Sequence, residues 1–229
     1  MSTKSPAEMS EGQQPLSGVV NFWNQFSKQI TILALVLVLG VGGWYAYQQF
    51  YQLPREKKAI EALFRAEEYY RKDSITLALN GDGQNLGFIK VIEKFKGTKT
   101  AELASFYAGS CFLKLGDNAK AITYLEQFQT ESAITQARAY KLLADAYADS
   151  GKNEKALELY KKAATTFEKD EVNSPEYLFL AAYFAEQVLK NTAEATSLYE
   201  EVRTKYPRSQ QSYEAEKNLA RLGVYSSKD

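Results

Sequence analysis

The sequence predicts an all-α protein: a single N-terminal transmembrane helix, then a solenoid of helical hairpins closed by a C-terminal capping helix. Three observations predict it. No charged residue occurs from Gln29 to Gln52. Between Glu102 and Ala163 one pattern is written twice: Ala108-Gly109, Phe112, Gly116-Asp117, Ala121, Leu125, then Leu143-Ala144, Tyr147, Gly151-Lys152, Ala156, Tyr160. Gly116 and Gly151 lie 35 residues apart, near the ~34 of a repeat made of two antiparallel helices. Such a unit cannot bury both helix faces alone, so further hairpins are expected beside it. Last, residues 209–222 place Tyr213, Leu219 and Leu222 on an inward face and charges outward, as the end of a solenoid requires.

Composition narrows the functions available. The 229 residues carry 28 Lys+Arg against 28 Asp+Glu, so no polyanion is implied and nucleic acid is not an expected partner. There is no histidine, which removes the commonest general base, the commonest metal ligand and every Ser-His or Cys-His nucleophile pair. Cys111 is the single cysteine. It can form neither an internal disulfide nor a thiolate metal cage. At the tenth repeat position it is expected to be a buried, inert thiol. Catalytic, cofactor and metal sites are expected to be absent.

Residues 1–15 are rich in Ser, Gln, Glu and Pro and are expected to be disordered. Over 16–28, Val19, Phe22, Trp23, Phe26 and Ile30 share a helical face. Two readings fit them: an amphipathic segment on the membrane surface, or a helical lead-in with Trp at the headgroups. The apolar run of 29–52 is long enough for a hydrocarbon layer of about 30 Å. Trp23, Trp44, Tyr45 and Tyr47 stand where interfacial aromatics belong. A cleaved signal peptide is the competing reading; the long leader with Glu8 and Glu11, and bulky Trp44 beside the candidate cleavage region, favour an uncleaved anchor. Lys28 on one side faces Arg55, Lys57, Lys58 and Arg65 on the other. That local balance favours a cytoplasmic C-terminal side, but long domains translocate regardless of charge, so topology stays open.

Residues 55–97 read as an irregular first hairpin: a helix marked by Ala59, Leu63, Ala66 and Tyr70, a loop over 74–87, and a second helix with Phe88, Ile89, Ile92 and Phe95. Asn80-Gly81-Asp82-Gly83 lacks the alternating ligands and closing Glu of a calcium loop, and reads as a glycine turn. Across 98–207 the hairpins are about 102–130, 137–169 and 176–207. The third opens on Ser174-Pro175, a cap followed by proline at the first helical position. It places Lys190 where the others have the turn glycine, and it closes on Tyr206-Pro207.

Small pair, aromatic, turn glycine, alanine, aromatic, alanine and the closing Tyr206-Pro207 together resemble the tetratricopeptide repeat. That resemblance implies a right-handed superhelix that binds peptides or proteins. The whole chain, with Gly40-Val41-Gly42-Gly43-Trp44 in its apolar helix and hairpins following closely, resembles the YfgM-like family, ancillary subunits of the bacterial SecYEG translocon. This implies an inner-membrane anchor, a cytoplasmic N-terminus and a periplasmic repeat domain. The implied partners are the SecYEG translocon, a membrane-anchored periplasmic prolyl-isomerase-like chaperone, and unfolded secreted proteins in a chaperone-like role. The alternative is a scaffold that assembles membrane proteins and binds no client.

In such hairpins the second, fifth, ninth and twelfth positions of each first helix tend to face the groove. Here these are Leu103, Phe106, Ser110 and Leu113; Arg138, Lys141, Asp145 and Ala148; and Tyr177, Leu180, Phe184 and Gln187. The face is mixed, apolar at both ends, and suits an extended apolar segment or a partner helix. Asp145 opposes the capture of a peptide carboxylate. Packing against the next hairpin is the competing role for Phe106, Leu113 and Phe184. In the membrane helix, Gly40 and Gly43 share a face that would let another helix approach closely; a flexible stretch is the equal alternative.

Overall fold

The computed structural model describes residues 14–225, excluding the side chains of 14–19 and Asn21. The disorder expected for 1–15 therefore lies outside the described residues, except that Gln14 and Pro15 already belong to a helix. The chain divides into two compact units, 1–54 and 55–229.

In the first unit, α1 (Gln14–Tyr47) is unbroken, so the 16–28 segment and the apolar run form one helix. Among the described residues one helix is long and apolar enough to cross a membrane. Its Leu and Val side chains lie open, Val38 at 69% and Leu39 at 66% exposure. A π turn, Gln48–Gln52, follows, closed by the Leu53 N–H donating to Gln48 O. It ends two residues before Pro54. Proline donates no N–H and its ring presses on the carbonyl four residues back; a widened turn is how a helix absorbs that break.

In the second unit, α2 (Leu53–Arg71) turns Ala59, Leu63 and Ala66 inward. The chain then forms α3 (Ile75–Asn80) and α4 (Phe88–Lys94). The loop expected over 74–87 is thus only partly a loop. Ala78 and Leu79 are buried and hold one and a half turns of helix before the chain loops out. The excursion closes on a bridge between Gly81 and Leu86. A Cβ on Gly81 would meet Asn85 O at 2.1 Å, and one on Gly87 would meet Leu79 O at 2.3 Å, so only glycine fits either place. Asp82 organises the loop: its carboxylate accepts the Asn85 N–H at 2.6 Å and the Tyr69 hydroxyl at 2.7 Å. Those bonds hold its carboxyl well below the usual range.

The remaining hairpins are α5 (Lys99–Lys114) with α6 (Asn118–Glu126), α7 (Ala133–Asp149) with α8 (Asn153–Thr166), and α9 (Asn173–Gln187) with α10 (Thr192–Lys205), before α11 (Gln210–Arg221). Each first helix ends on a left-handed residue: Gly116 (φ 74°), Gly151 (φ 73°) and Lys190 (φ 56°), with Asp73 (φ 56°) doing the same after α2. The next N–H reaches back to close the helix: Ser74 to Tyr69 O, Asp117 to Phe112 O and Lys152 to Tyr147 O, each at 2.9 Å. This is the double closure that glycine favours at a helix end. At Lys190 the loop is one residue wider, Asn191 reaching Ala185 O at 2.9 Å. The second helices α6 and α10 are then capped by side chains, Asp117 accepting the Lys120 N–H at 3.1 Å and Asn191 the Glu194 N–H at 3.1 Å.

Two corrections concern the C-terminal part. Ser174 does not cap α9. Its hydroxyl donates to Phe167 O at 2.8 Å, and Asp170 accepts the Val172 and Asn173 N–H groups at 3.0 Å. Tyr213 does not point inward: it is 61% exposed, while Ser212, Ala215 and Leu219 make the buried face of α11. That helix is tied down by Glu186, a buried carboxylate on α9 that accepts the Tyr199 hydroxyl at 3.0 Å and the Arg221 guanidinium.

The core is built from alanines at helix crossings, Ala108, Ala121, Ala144, Ala156, Ala182 and Ala195 all inaccessible, with Phe, Tyr and Leu filling the space between. One cluster runs from Ala59 to Ala146, a second from Phe106 to Leu219; Leu103, Tyr107, Leu113 and Ile122 pack against both. Each fully buried Leu or Phe contributes about 1.5–3 kcal/mol.

Lys190 and Gly151 occupy equivalent places with opposite suitability. A non-glycine residue there costs about 1–2 kcal/mol, and glycine returns about 0.4–1 kcal/mol of that through the freer unfolded chain. Chemical denaturation followed by circular dichroism should show Gly151→Ala about 1 kcal/mol less stable, and Lys190→Gly about 0.5 kcal/mol more stable, than the parent.

Candidate protein-binding groove

Glu56 accepts the Lys99 N–H at 3.0 Å and the Thr100 N–H at 2.9 Å. The carboxylate satisfies free donors at the start of α5 and complements the helix dipole, fixing α2 against α5. Farther along the same pair, Tyr70 and Ser110 share a hydrogen bond at 2.8 Å. Where α7 follows, the three first helices enclose a cavity of about 220 Å³ lined by Glu67, Tyr70, Arg71, Phe106, Tyr107, Ser110, Arg138 and Leu142.

The cavity brings together three of the residues expected on the groove: Phe106, Ser110 and Arg138. Its floor is aromatic. Tyr107 meets Tyr70 edge-on at 5.4 Å, stacks on Phe88 at 5.2 Å and meets Phe106 edge-on at 5.5 Å. Burial, reinforced by the negative charge of Glu67, pushes the Tyr107 hydroxyl up to about 12, so it stays a neutral donor. Leu103 and Leu113 are half-buried beside this floor; Leu103 also lines a wider cleft of about 770 Å³ at the starts of α5 and α7, with Glu56, Lys99, Phe128 and Thr135.

On α7 the expected groove polarity is absorbed internally. Lys141 pairs with Asp145 at 2.8 Å, and Tyr160 donates to the other Asp145 oxygen at 2.8 Å. Asp145 is therefore a neutralised anchor between α7 and α8, not a free anion facing a ligand. Ala148 is half-buried. On α9, Tyr177 and Phe184 are 6% and 7% exposed and belong to the core, Phe184 packing on Tyr160 at 5.4 Å between ring centres. Burial thus assigns them the packing role, while Leu180 and Gln187 are half-exposed. Phe106 and Ser110 are also largely covered, 6% and 8%, and show only an edge to the cavity.

Glu67, Tyr70 and Arg71 on α2 were not anticipated. Glu67, Tyr70 and Asp73 precede Ser110, Leu113 and Gly116 by the same 43 residues, so α2 is one more first helix of the series. Aligning Asp73 with the turn glycines reveals this; an aspartate at that place hides it. Cys111 is inaccessible and its thiol is pushed up to about 12 by burial, which leaves it unreactive. Apart from the helix's own backbone, no atom of the described residues lies within 4 Å of a Cβ built on Gly40 or Gly43, so both face open space. Among the described residues no group of His, Cys, Asp and Glu is placed to hold a metal ion.

A side-by-side row of first helices with an open cleft is an arrangement for holding another polypeptide. A family model described as a tetratricopeptide repeat-like domain matches residues 21–173. A second, described as a tetratricopeptide repeat, matches residues 176–209, the unit built around Lys190. No curated protein matches the chain. The first match covers more than half of the sequence and takes in the apolar helix as well as α2 to α8: the chain belongs to the tetratricopeptide repeat-like domain family.

Proposed function

We propose that this protein is a membrane-anchored adaptor of the bacterial inner membrane, an ancillary subunit of the Sec translocon whose hairpins hold other proteins. In this reading the apolar helix crosses the membrane once with its N-terminus in the cytoplasm, and the hairpins stand in the periplasm. The partners are the SecYEG translocon and a membrane-anchored prolyl-isomerase-like chaperone, and newly translocated chains are bound in a chaperone-like role. The observation that carries the reading is the family pattern that begins in the apolar helix and continues into the hairpins. A repeat domain tethered at a bilayer meets partners found at that surface, and tethering raises their effective concentration. Gly40 and Gly43, open on the membrane helix, offer the place where a translocon helix can approach.

A scaffold that joins membrane proteins without holding clients is the second reading. It draws support from the burial of Tyr177 and Phe184 and the internal pairing of Lys141 and Asp145, which shorten the open part of the groove.

Photocrosslinkers placed at Leu103, Lys141 and Leu180 separate the two. Capture of several nascent chains together with translocon subunits is the expected pattern; labelling of a single stable partner would favour the scaffold, and no capture would end both. Topology is tested with Asp149→Cys, an exposed position: an impermeant thiol reagent should modify it in intact spheroplasts, and protection would place the hairpins in the cytoplasm.

A further inference from the structure

The cleft between α2, α5 and α7 differs in charge from the rest of the first-helix face. Lys141 is committed to Asp145. Arg138, one turn earlier, is exposed and among the described residues makes no hydrogen bond or ion pair. Across α5, Arg71 on α2 is also exposed, and its guanidinium rests 5.7 Å from the centre of the Phe64 ring with no carboxylate partner among the described residues. The single carboxylate lining the cavity, Glu67, faces the Tyr107 hydroxyl. Two guanidiniums therefore flank an aromatic floor with one engaged anion between them.

At about 220 Å³ the cavity is smaller than the roughly 300–1,000 Å³ that enclose a whole small ligand. It has room for one large side chain of something bigger. Tyr70 and Ser110 satisfy each other at 2.8 Å, so a polar group entering the floor would find them already paired, and an apolar one is preferred. Guanidinium, weakly hydrated and forked, pairs with carboxylates better than a lysine does.

We propose that this cleft binds an extended segment of a partner protein in which an aromatic or leucine side chain sits next to an aspartate or glutamate. The apolar side chain fills the cavity over Phe106 and Tyr107, and the carboxylate lies between Arg71 and Arg138. This rests on the reading that the first-helix face holds other proteins.

The test uses the full-length protein in detergent micelles and short fluorescent peptides that differ only at a central pair: Phe-Asp, Phe-Asn, Ala-Asp and Phe-Lys. Anisotropy titrations should give tightest binding for Phe-Asp, with Phe-Asn and Ala-Asp each about tenfold weaker, the loss of about 1.4 kcal/mol per interaction. Arg138→Glu should abolish the preference for Phe-Asp and create one for Phe-Lys. Arg138→Gln, which leaves only Arg71 on the carboxylate, should narrow the preference for Phe-Asp over Phe-Asn; as an exposed neutral change it reports even where the charge reversal disturbs folding. Equal binding of Phe-Asp and Phe-Lys by the parent, or an unchanged Phe-Asp preference in Arg138→Gln, overturns the proposal. Should that happen while crosslinkers at Leu103 and Leu180 still capture proteins, the groove reading survives and only its acidic-apolar specificity falls.

Discussion

Every hairpin of this protein depends on one residue in the left-handed conformation at the end of its first helix. Asp73, Gly116, Gly151 and Lys190 each stop a helix, and the reversed hydrogen bonds that follow decide which residue starts the next one. The choice of start sets the rotation of the second helix about its axis, hence which side chains meet the neighbouring hairpin. L-residues resist this geometry and glycine does not. Where Lys190 takes the place, the loop widens by a residue and the hairpin keeps its packing.

Once the turns are fixed, the alanines decide how close the helices come. Ala108 and Ala144 on first helices and Ala121 and Ala156 on second helices are fully inaccessible, so backbones approach and the aromatic side chains are left to fill the gaps at the edges. Gly109 is the extreme: a Cβ there would lie 2.5 Å from the Leu125 side chain. Close packing of this kind uses up the second-helix side of each hairpin. What remains is the row of first helices, where the chain concentrates Arg138, Arg71, Glu67 and the edges of Tyr70, Tyr107 and Phe106. The surface available to a partner is a consequence of the packing.

The apolar helix and the twin hairpins could be read from residues because their signals are strictly spaced: an uncharged run between Gln29 and Gln52, and glycines 35 residues apart. The first hairpin was harder. Asp73 replaces its turn glycine, and the buried pair Ala78 and Leu79 is too short a pattern to announce a helix beside three glycines. Periodicity also gave the direction of the groove positions without their neighbours. It could not distinguish Tyr177 and Phe184, covered by adjoining helices, from Arg138, which is not. Nor could it see that Tyr160 joins the Lys141–Asp145 pair, since it lies on a different helix. Tyr213 departs from its expected place for a related reason: small Ser212 and Ala215 form the inner face of α11, where the pattern suggests a large side chain.

The first-helix face is the surface we propose for meeting other proteins. Hydrogen exchange of the full-length protein tests it most directly, comparing native membranes with the purified protein in detergent. Slower exchange in native membranes confined to α2, α5 and α7 is the predicted result. Added protection on α6, α8 and α10 alone, with the first helices unchanged, would contradict a first-helix binding face.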